Sequence, residues 1–290
     1  ANIKKFLTYT NSQNKLMIGP WEHGGKWNVS PFNHGPAGFD LAGEILKFFD
    51  YHLKGKETGI YDEAPIHYFT QVDEQWKAAE QWPPENTSYK AYYLGDSSTL
   101  ATKQPNYRGE VLYFDTYEID TSWGTGIHSR WRSVFGSLFQ PNAYPDFHER
   151  AQELMLYRSQ PIQQDMVITG HPYVKLYGGT NDTDGTFFVY LMDMDPDGYL
   201  TYVTEGQLRA LHRKLDSKHP AYNDAVPYRS YLSEHGEPMP ADGSPEALLF
   251  DLLPTSYTLK KGHRLVIGIG ANDKHHFKII DPEGELYIYR

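Results

Sequence analysis

The apolar positions of this 290-residue chain follow two different rhythms. Leu16-Met17-Ile18 is a short unbroken apolar run that stops at Gly19-Pro20, which predicts a buried strand opening into a loop. Between Gly38 and Gly55 the rhythm is helical: Leu41, Ile45, Phe49 and Leu53 recur every four residues, with Ala42 and Leu46 beside them. Asp40 falls in the first turn of this predicted helix, Lys54 in the last, and Gly55 where a C-terminal cap belongs. A strand around Ile66-His67-Tyr68-Phe69 and the break at Trp82-Pro83-Pro84 follow. Beyond residue 90 no helical period persists, and short strand patterns separated by Gly, Asn, Asp and Pro take over. Tyr173–Tyr177, Phe187–Leu191 and Gln207–Leu211 are examples, as are the alternating sets Leu248, Phe250, Leu252 and Leu265, Ile267, Ile269. The expected fold is mainly β: an α/β piece over 1–84, then a β-sandwich of jelly-roll type over 85–290.

Composition narrows the partners more than the fold. Tyrosine (23) and phenylalanine (14) suit pleated, half-buried surfaces. A net charge of -10 and the absence of any lysine/arginine run argue against nucleic acid. No apolar stretch reaches the roughly 20 residues that span a bilayer, so no membrane partner is expected. The lack of cysteine excludes disulfides, a cysteine nucleophile and thiolate-bound metal, and leaves the compartment open.

The candidate chemistry sits at the first loop. His23 follows the strand in Gly19-Pro20-Trp21-Glu22-His23-Gly24, a position from which a parallel strand presents a side chain for catalysis. Taken alone, the placement favours a structural histidine over a catalytic one. As a triad base His23 would also be early, because α/β-hydrolases run in the order nucleophile, acid, histidine. Ahead of it stand one serine, Ser12, and no acid except its neighbour Glu22. Elsewhere, Asp193-Met194-Asp195-Pro196-Asp197-Gly198 opens like a calcium loop, but its twelfth position is Thr204, so hairpin turns are expected there and at Asn181–Gly185. His275-His276 reads as a surface turn, and Glu205 with Arg209 as a structural ion pair. Trp21 and Trp27 flank the histidine and fit either a pocket wall or core packing.

Gly19-Pro20-Trp21-Glu22-His23-Gly24 resembles the Gly-Pro-Trp-x-His-Gly signature of the cocaine esterase / X-Pro dipeptidyl-peptidase / α-amino acid ester hydrolase family of serine hydrolases. Lys47–Gly55, Thr125–Trp131, Thr169–Pro172, Thr204–Ala210, Pro254–Tyr257 and Gly262–Leu265 are similar to further landmarks of that family, in the same order. The resemblance implies that residues 1–84 are the last strand, histidine loop and helix of an α/β-hydrolase domain. It implies a galactose-binding-like jelly roll for 85–290, and His23 as general base. The family's nucleophile serine, oxyanion tyrosine and triad aspartate have no counterpart here, and no G-x-S-x-G occurs. The chain is therefore expected to be a C-terminal fragment, inactive alone, whose partner is a missing N-terminal catalytic segment. The implied substrate is a small ester or peptide: X-Pro dipeptides, α-amino acid esters, β-lactams or aryl esters. The Gly262–Leu265 and Ala271-Asn272-Asp273 ending leans toward the ester hydrolases. No cofactor and no metal are expected. An uncovered face on the 16–18 strand and the 38–54 helix predicts an apolar patch and homo-oligomers. The rival expectation is a non-catalytic module, binding carbohydrate through Tyr92, Tyr93 and Trp131 or serving only in oligomerisation.

Overall fold

Strand β1 (Leu16–Ile18) forms where the apolar run places it and pairs in parallel with β2 (Ile66–Thr70), Leu16 opposite Ile66 and Ile18 opposite Tyr68. A hairpin returns β2 into β3 (Gln75–Ala79), giving a three-stranded sheet. Helix α1 (Asn2–Thr8) closes one side of it, with Ile3 and Leu16 buried against Ile66, Tyr68 and Trp82. The β1 strand is thus paired with β2 along one edge and buried at Leu16, but it stays the outer strand of its sheet, with Met17 and Ile18 half-buried. Its partner comes from fifty residues downstream in the sequence, a pairing that periodicity does not reveal. These features come from a computed structural model, which describes residues 2–9, 13–21, 28, 30–32, 38–105, 113–132, 144, 146–222, 224, 227–280 and 283–290.

Helix α2 (Leu41–Lys54) forms over the predicted span. Asp40 is its N-cap and accepts the Gly43 N–H at 2.9 Å, and Gly55 ends it in the left-handed conformation (φ 62°). None of its residues is buried: Ile45, Leu46, Phe49 and Leu53 are 48%, 58%, 50% and 75% exposed. Here the expected apolar patch is present.

From residue 93 onward the chain builds a β-sandwich. One mixed sheet has the order β11 (Leu200–Arg209), β10 (Thr186–Met194), β14 (Arg264–Gly270), β7 (Met155–Ser159), β5 (Thr99–Ala101), β4 (Tyr93–Gly95). The second has the order β12 (Glu246–Asp251), β9 (Tyr173–Thr180), β15 (Glu285–Tyr289), β6 (Phe114–Glu118), and a two-stranded sheet pairs β13 (Thr255–Leu259) with β8 (Met166–Gly170). Between the sheets lie Phe187, Val189 and Leu191 from β10 against Leu176, Leu248, Phe250, Leu286 and Ile288. The other face of β10, Phe188, Tyr190 and Met192, is buried too, under Trp123, Phe147 and Leu154. Burial on both faces explains why β10 reads as a continuous apolar run rather than an alternation. Phe147 belongs to α3 (Phe147–Ala151), a single turn of helix too short to show a period. The Gln207–Leu211 pattern is strand only to Arg209; Ala210–His212 is 3₁₀. No helix among the described residues is long and apolar enough to cross a membrane.

Candidate functional site

The candidate base lies on the loop that leaves the C-terminal end of β1. His23 lies outside the described residues, as do Glu22, Trp27 and Ser12; both stems of the loop are described. The outgoing stem turns at Gly19, where a Cβ would stand 2.2 Å from the Trp21 ring. Only glycine lets that indole fold back. The Trp21 ring packs on Trp76 of β3 and on Phe39, with centroids 5.2 and 5.9 Å apart. Gly19→Ala is expected to displace the indole, lowering stability by about 1–3 kcal/mol and weakening the tryptophan near-ultraviolet circular dichroism. An unchanged spectrum and melting temperature would contradict this.

An isolated antiparallel bridge joins Trp21 to Asn28 and closes the loop at its base. On the returning stem, buried Asn28 accepts the Ser30 N–H at 2.9 Å. Ser30, itself fully buried, donates its hydroxyl to Glu74 at 2.6 Å. Glu74 sits in the β2–β3 turn, and the same oxygen accepts the Val72 N–H at 3.2 Å. Further on, Phe32 meets the edge of Tyr257 on β13, centroids 5.9 Å apart.

Three of the sequence landmarks converge on Asp193. His263 Nδ1 lies 2.7 Å from one carboxylate oxygen and Tyr257 donates its hydroxyl to the other at 2.8 Å. Burial raises the Asp193 pKa and pushes the Tyr257 phenol well up. The trio resembles an acid–histidine pair, but Tyr257 is fully buried and bonded to the acid, so it offers no nucleophile. The hairpin reading holds at Asp193–Gly198, where β10 pairs with β11, but not at Asn181–Gly185, whose turn carries the chain from β9 in one sheet to β10 in the other. Asp195 accepts the Asp197 and Tyr199 N–H groups, and Asp184 accepts those of Gly185 and Leu211.

A second cluster gathers Thr125–Trp131 and Thr204–Ala210. A bulge in β11 makes Thr204 pair with Leu191 but Tyr202 with Met192, so Glu205 and Tyr202 share the face of Tyr190. Trp131 Nε1 donates to Glu205 Oε1, and Arg130 reaches the Tyr202 hydroxyl at 3.3 Å. Burial raises the Glu205 pKa to about 7, against the pull of Arg130 and Trp131. The expected Glu205–Arg209 pair does not form: four residues of strand separate the two by about 13 Å, and Arg209 pairs instead with Asp184 at 2.6 Å. Of the aromatics named for carbohydrate binding, Trp131 has its N–H bonded to Glu205. Tyr92 packs against the sandwich core. His275 and His276 are in a turn, as expected, but half-buried, where Nδ1 of His275 accepts the Gly126 N–H and Nε2 of His276 donates to its carbonyl. Beside them a cavity of about 120 Å³ is lined by Thr125, His128, Arg150 and His275, and its hydroxyl, Thr125, is bonded to buried Asp273.

A β-sandwich preceded by a small α/β unit with a closed loop after β1 defines the class. The X-Pro dipeptidyl-peptidase C-terminal non-catalytic domain matches residues 58–290, and the chain belongs to that family, within the cocaine esterase / X-Pro dipeptidyl-peptidase / α-amino acid ester hydrolase group. It is 43% identical over 281 residues to a putative serine esterase of Mycobacterium tuberculosis, covering 97% of this chain and 44% of that protein. It is 22% identical over 278 residues to a cocaine esterase of a Rhodococcus species, covering 91% of this chain and again 44% of the relative. The fold is shared with the crystal structure of an aminopeptidase from a marine sediment thaumarchaeon, with a TM-score of 0.73 at 17% identity over 99% of this chain and 50% of that one. The chain thus spans less than half the length of the curated relatives it matches.

Proposed function

We propose that this chain is the C-terminal portion of a serine hydrolase that cleaves a small ester or amide through an acyl-enzyme, with His23 as its general base. The observation that carries the reading is the closed loop at the C-terminal end of β1. In open α/β sheets with parallel strands, the reacting groups stand outside that end of the strands. On this reading residues 1–84 are the last strand, loop and helix of an α/β-hydrolase domain, and 85–290 are the jelly roll packed beside it. The uncovered Ile45, Leu46, Phe49 and Leu53 of α2 support a further layer of protein on that side. The serine, the oxyanion donors and the aspartate come from a preceding segment. His23 takes the serine proton during attack and returns it to the leaving alcohol or amine. The names of the relatives, serine esterase, cocaine esterase and aminopeptidase, support an ester or amide as substrate.

Intact-mass analysis after exposure to a fluorophosphonate tests the assignment. The 290-residue chain is expected to gain no adduct, and the protein extended by its upstream segment to gain one. An adduct on the isolated chain, or none on the extended protein, would overturn the reading.

A further inference from the structure

The cavity of about 120 Å³ between the Thr125–His128 segment, α3 and the turn after β14 contains a cation without a counterion. Arg150 of α3 lines it, and its Nη1 donates to the Gly124 carbonyl at 3.2 Å. Its Nη2 and Nε have no partner among the described residues, and no described carboxylate pairs with it. Two imidazoles share the wall. His275 Nδ1 accepts the Gly126 N–H at 3.2 Å, and His128 Nδ1 lies 3.1 Å from Arg132 Nη1, a group that can only donate. Each ring therefore carries its proton on Nε2, and neither Nε2–H has a partner among the described residues. Burial lowers the His275 pKa, with Arg150 and Lys274 adding to it against Asp273, so its ring is neutral near pH 7.

The wall is held in place before any ligand arrives. Gly126 sits at φ 85°, a conformation that favours glycine, and a Cβ there would stand 3.5 Å from Arg150 Nε. His276 Nε2 donates to the Gly126 carbonyl at 2.8 Å. Buried Asp273 accepts the N–H and hydroxyl of Thr125 and the N–H of His275, so both its oxygens are occupied within the wall.

An unpaired guanidinium beside two neutral N–H donors suits an oxyanion. A metal ion does not fit: the described residues include no group of three His, Asp or Glu able to hold one, and the guanidinium would repel it. The donors supply one positive charge, and Asp146 at the cavity, exposed and making no side-chain cap bond, opposes a second negative charge on the ligand. That favours a monoanion. Ile127, 63% exposed, adds an apolar contact for a short alkyl group.

We infer that this cavity binds a small carboxylate, held by the Arg150 guanidinium and the Nε2–H groups of His128 and His275. A carboxylate is also what hydrolysis of an acyl-enzyme releases, so the ligand falls in the product class of the proposed reaction. That link rests on the hydrolase reading; the binding does not.

The 290-residue chain with isotope-labelled histidine is titrated with sodium acetate at constant ionic strength, its imidazole signals assigned from His128→Ala and His275→Ala variants. The His128 and His275 signals are expected to shift along one saturating curve while His263 stays unmoved. Arg150→Gln is expected to weaken acetate binding by about 10- to 100-fold, and Asp146→Asn to tighten it. Methylammonium chloride is expected to give no saturating shift. Shifts that fail to saturate, that survive unchanged in Arg150→Gln, or that methylammonium reproduces would overturn the inference. Inorganic phosphate bound more tightly than acetate would overturn the choice of a carboxylate. Should Arg150→Gln fail to fold, Arg150→Lys keeps the charge without the planar fork and is expected to bind acetate about tenfold more weakly. Absence of fluorophosphonate labelling in the extended protein would sink the hydrolase reading and leave acetate binding untouched.

Discussion

Replacing His23 with alanine in the extended protein is expected to lower kcat by about 10⁴- to 10⁶-fold, the scale seen when a triad histidine is removed. A serine hydroxyl is a poor nucleophile until a neighbouring base takes its proton, and the same group must reprotonate the leaving atom. The effect falls on the chemical step, so KM should move little while fluorophosphonate labelling slows in parallel with kcat. Glu22→Ala is the control: as the neighbouring acid on the same loop it should leave kcat within a few-fold of wild type. Retention of more than a tenth of kcat in His23→Ala would refute the assignment.

The second large effect concerns stability. Glu205 is 2% exposed, and its pKa is raised from 4.5 to about 7, chiefly by burial. Below pH 4.5 the carboxyl is protonated in both folded and unfolded chains. Between 4.5 and about 7 the unfolded chain has released a proton that the folded chain retains, so rising pH favours unfolding. Above about 7 both forms are ionised and the loss is complete, amounting to about 3 kcal/mol. Glu205→Gln keeps an acceptor for Trp131 and has no proton to lose. Unfolding free energies from urea titrations should match wild type near pH 4 and exceed it by that amount near pH 8. Equal pH slopes in the two proteins would refute the claim, and because only their difference is read, the other raised carboxyl, Asp193, cancels.

The Glu205 cluster and the Ser30–Glu74 bond show how far the candidate site was legible in the sequence. His23 could be singled out because Gly19-Pro20-Trp21-Glu22-His23-Gly24 is a contiguous stretch that resembles a family signature, whereas the strand and its stop alone favoured a structural histidine. Glu74 carried no such signal, being one acid in a polar turn whose meaning comes from Ser30, 44 residues earlier. Thr125–Trp131 and Thr204–Ala210 were visible as separate landmarks, but that Trp131 closes on Glu205 was not. An ion pair between Glu205 and Arg209 looked reasonable from adjacency and failed because strand geometry carries them apart. Tyr257, His263 and Asp193 likewise became one unit only across sheets.

Local information alone determined helix α2 with its caps, the turn chemistry at Asp195 and Asp184, the inward positions of β9, β12 and β14, and the end of β1 at Gly19-Pro20. These follow from period, punctuation and residue type, which act over a few neighbouring residues. The tertiary structure alone decided the parallel pairing of β1 with β2, the bulge that brings Glu205 and Tyr202 onto one face, and the bond from Ser30 to Glu74 in the β2–β3 turn. Each depends on which distant strands meet and in what register, and register is set by burying whole faces together rather than by any one segment.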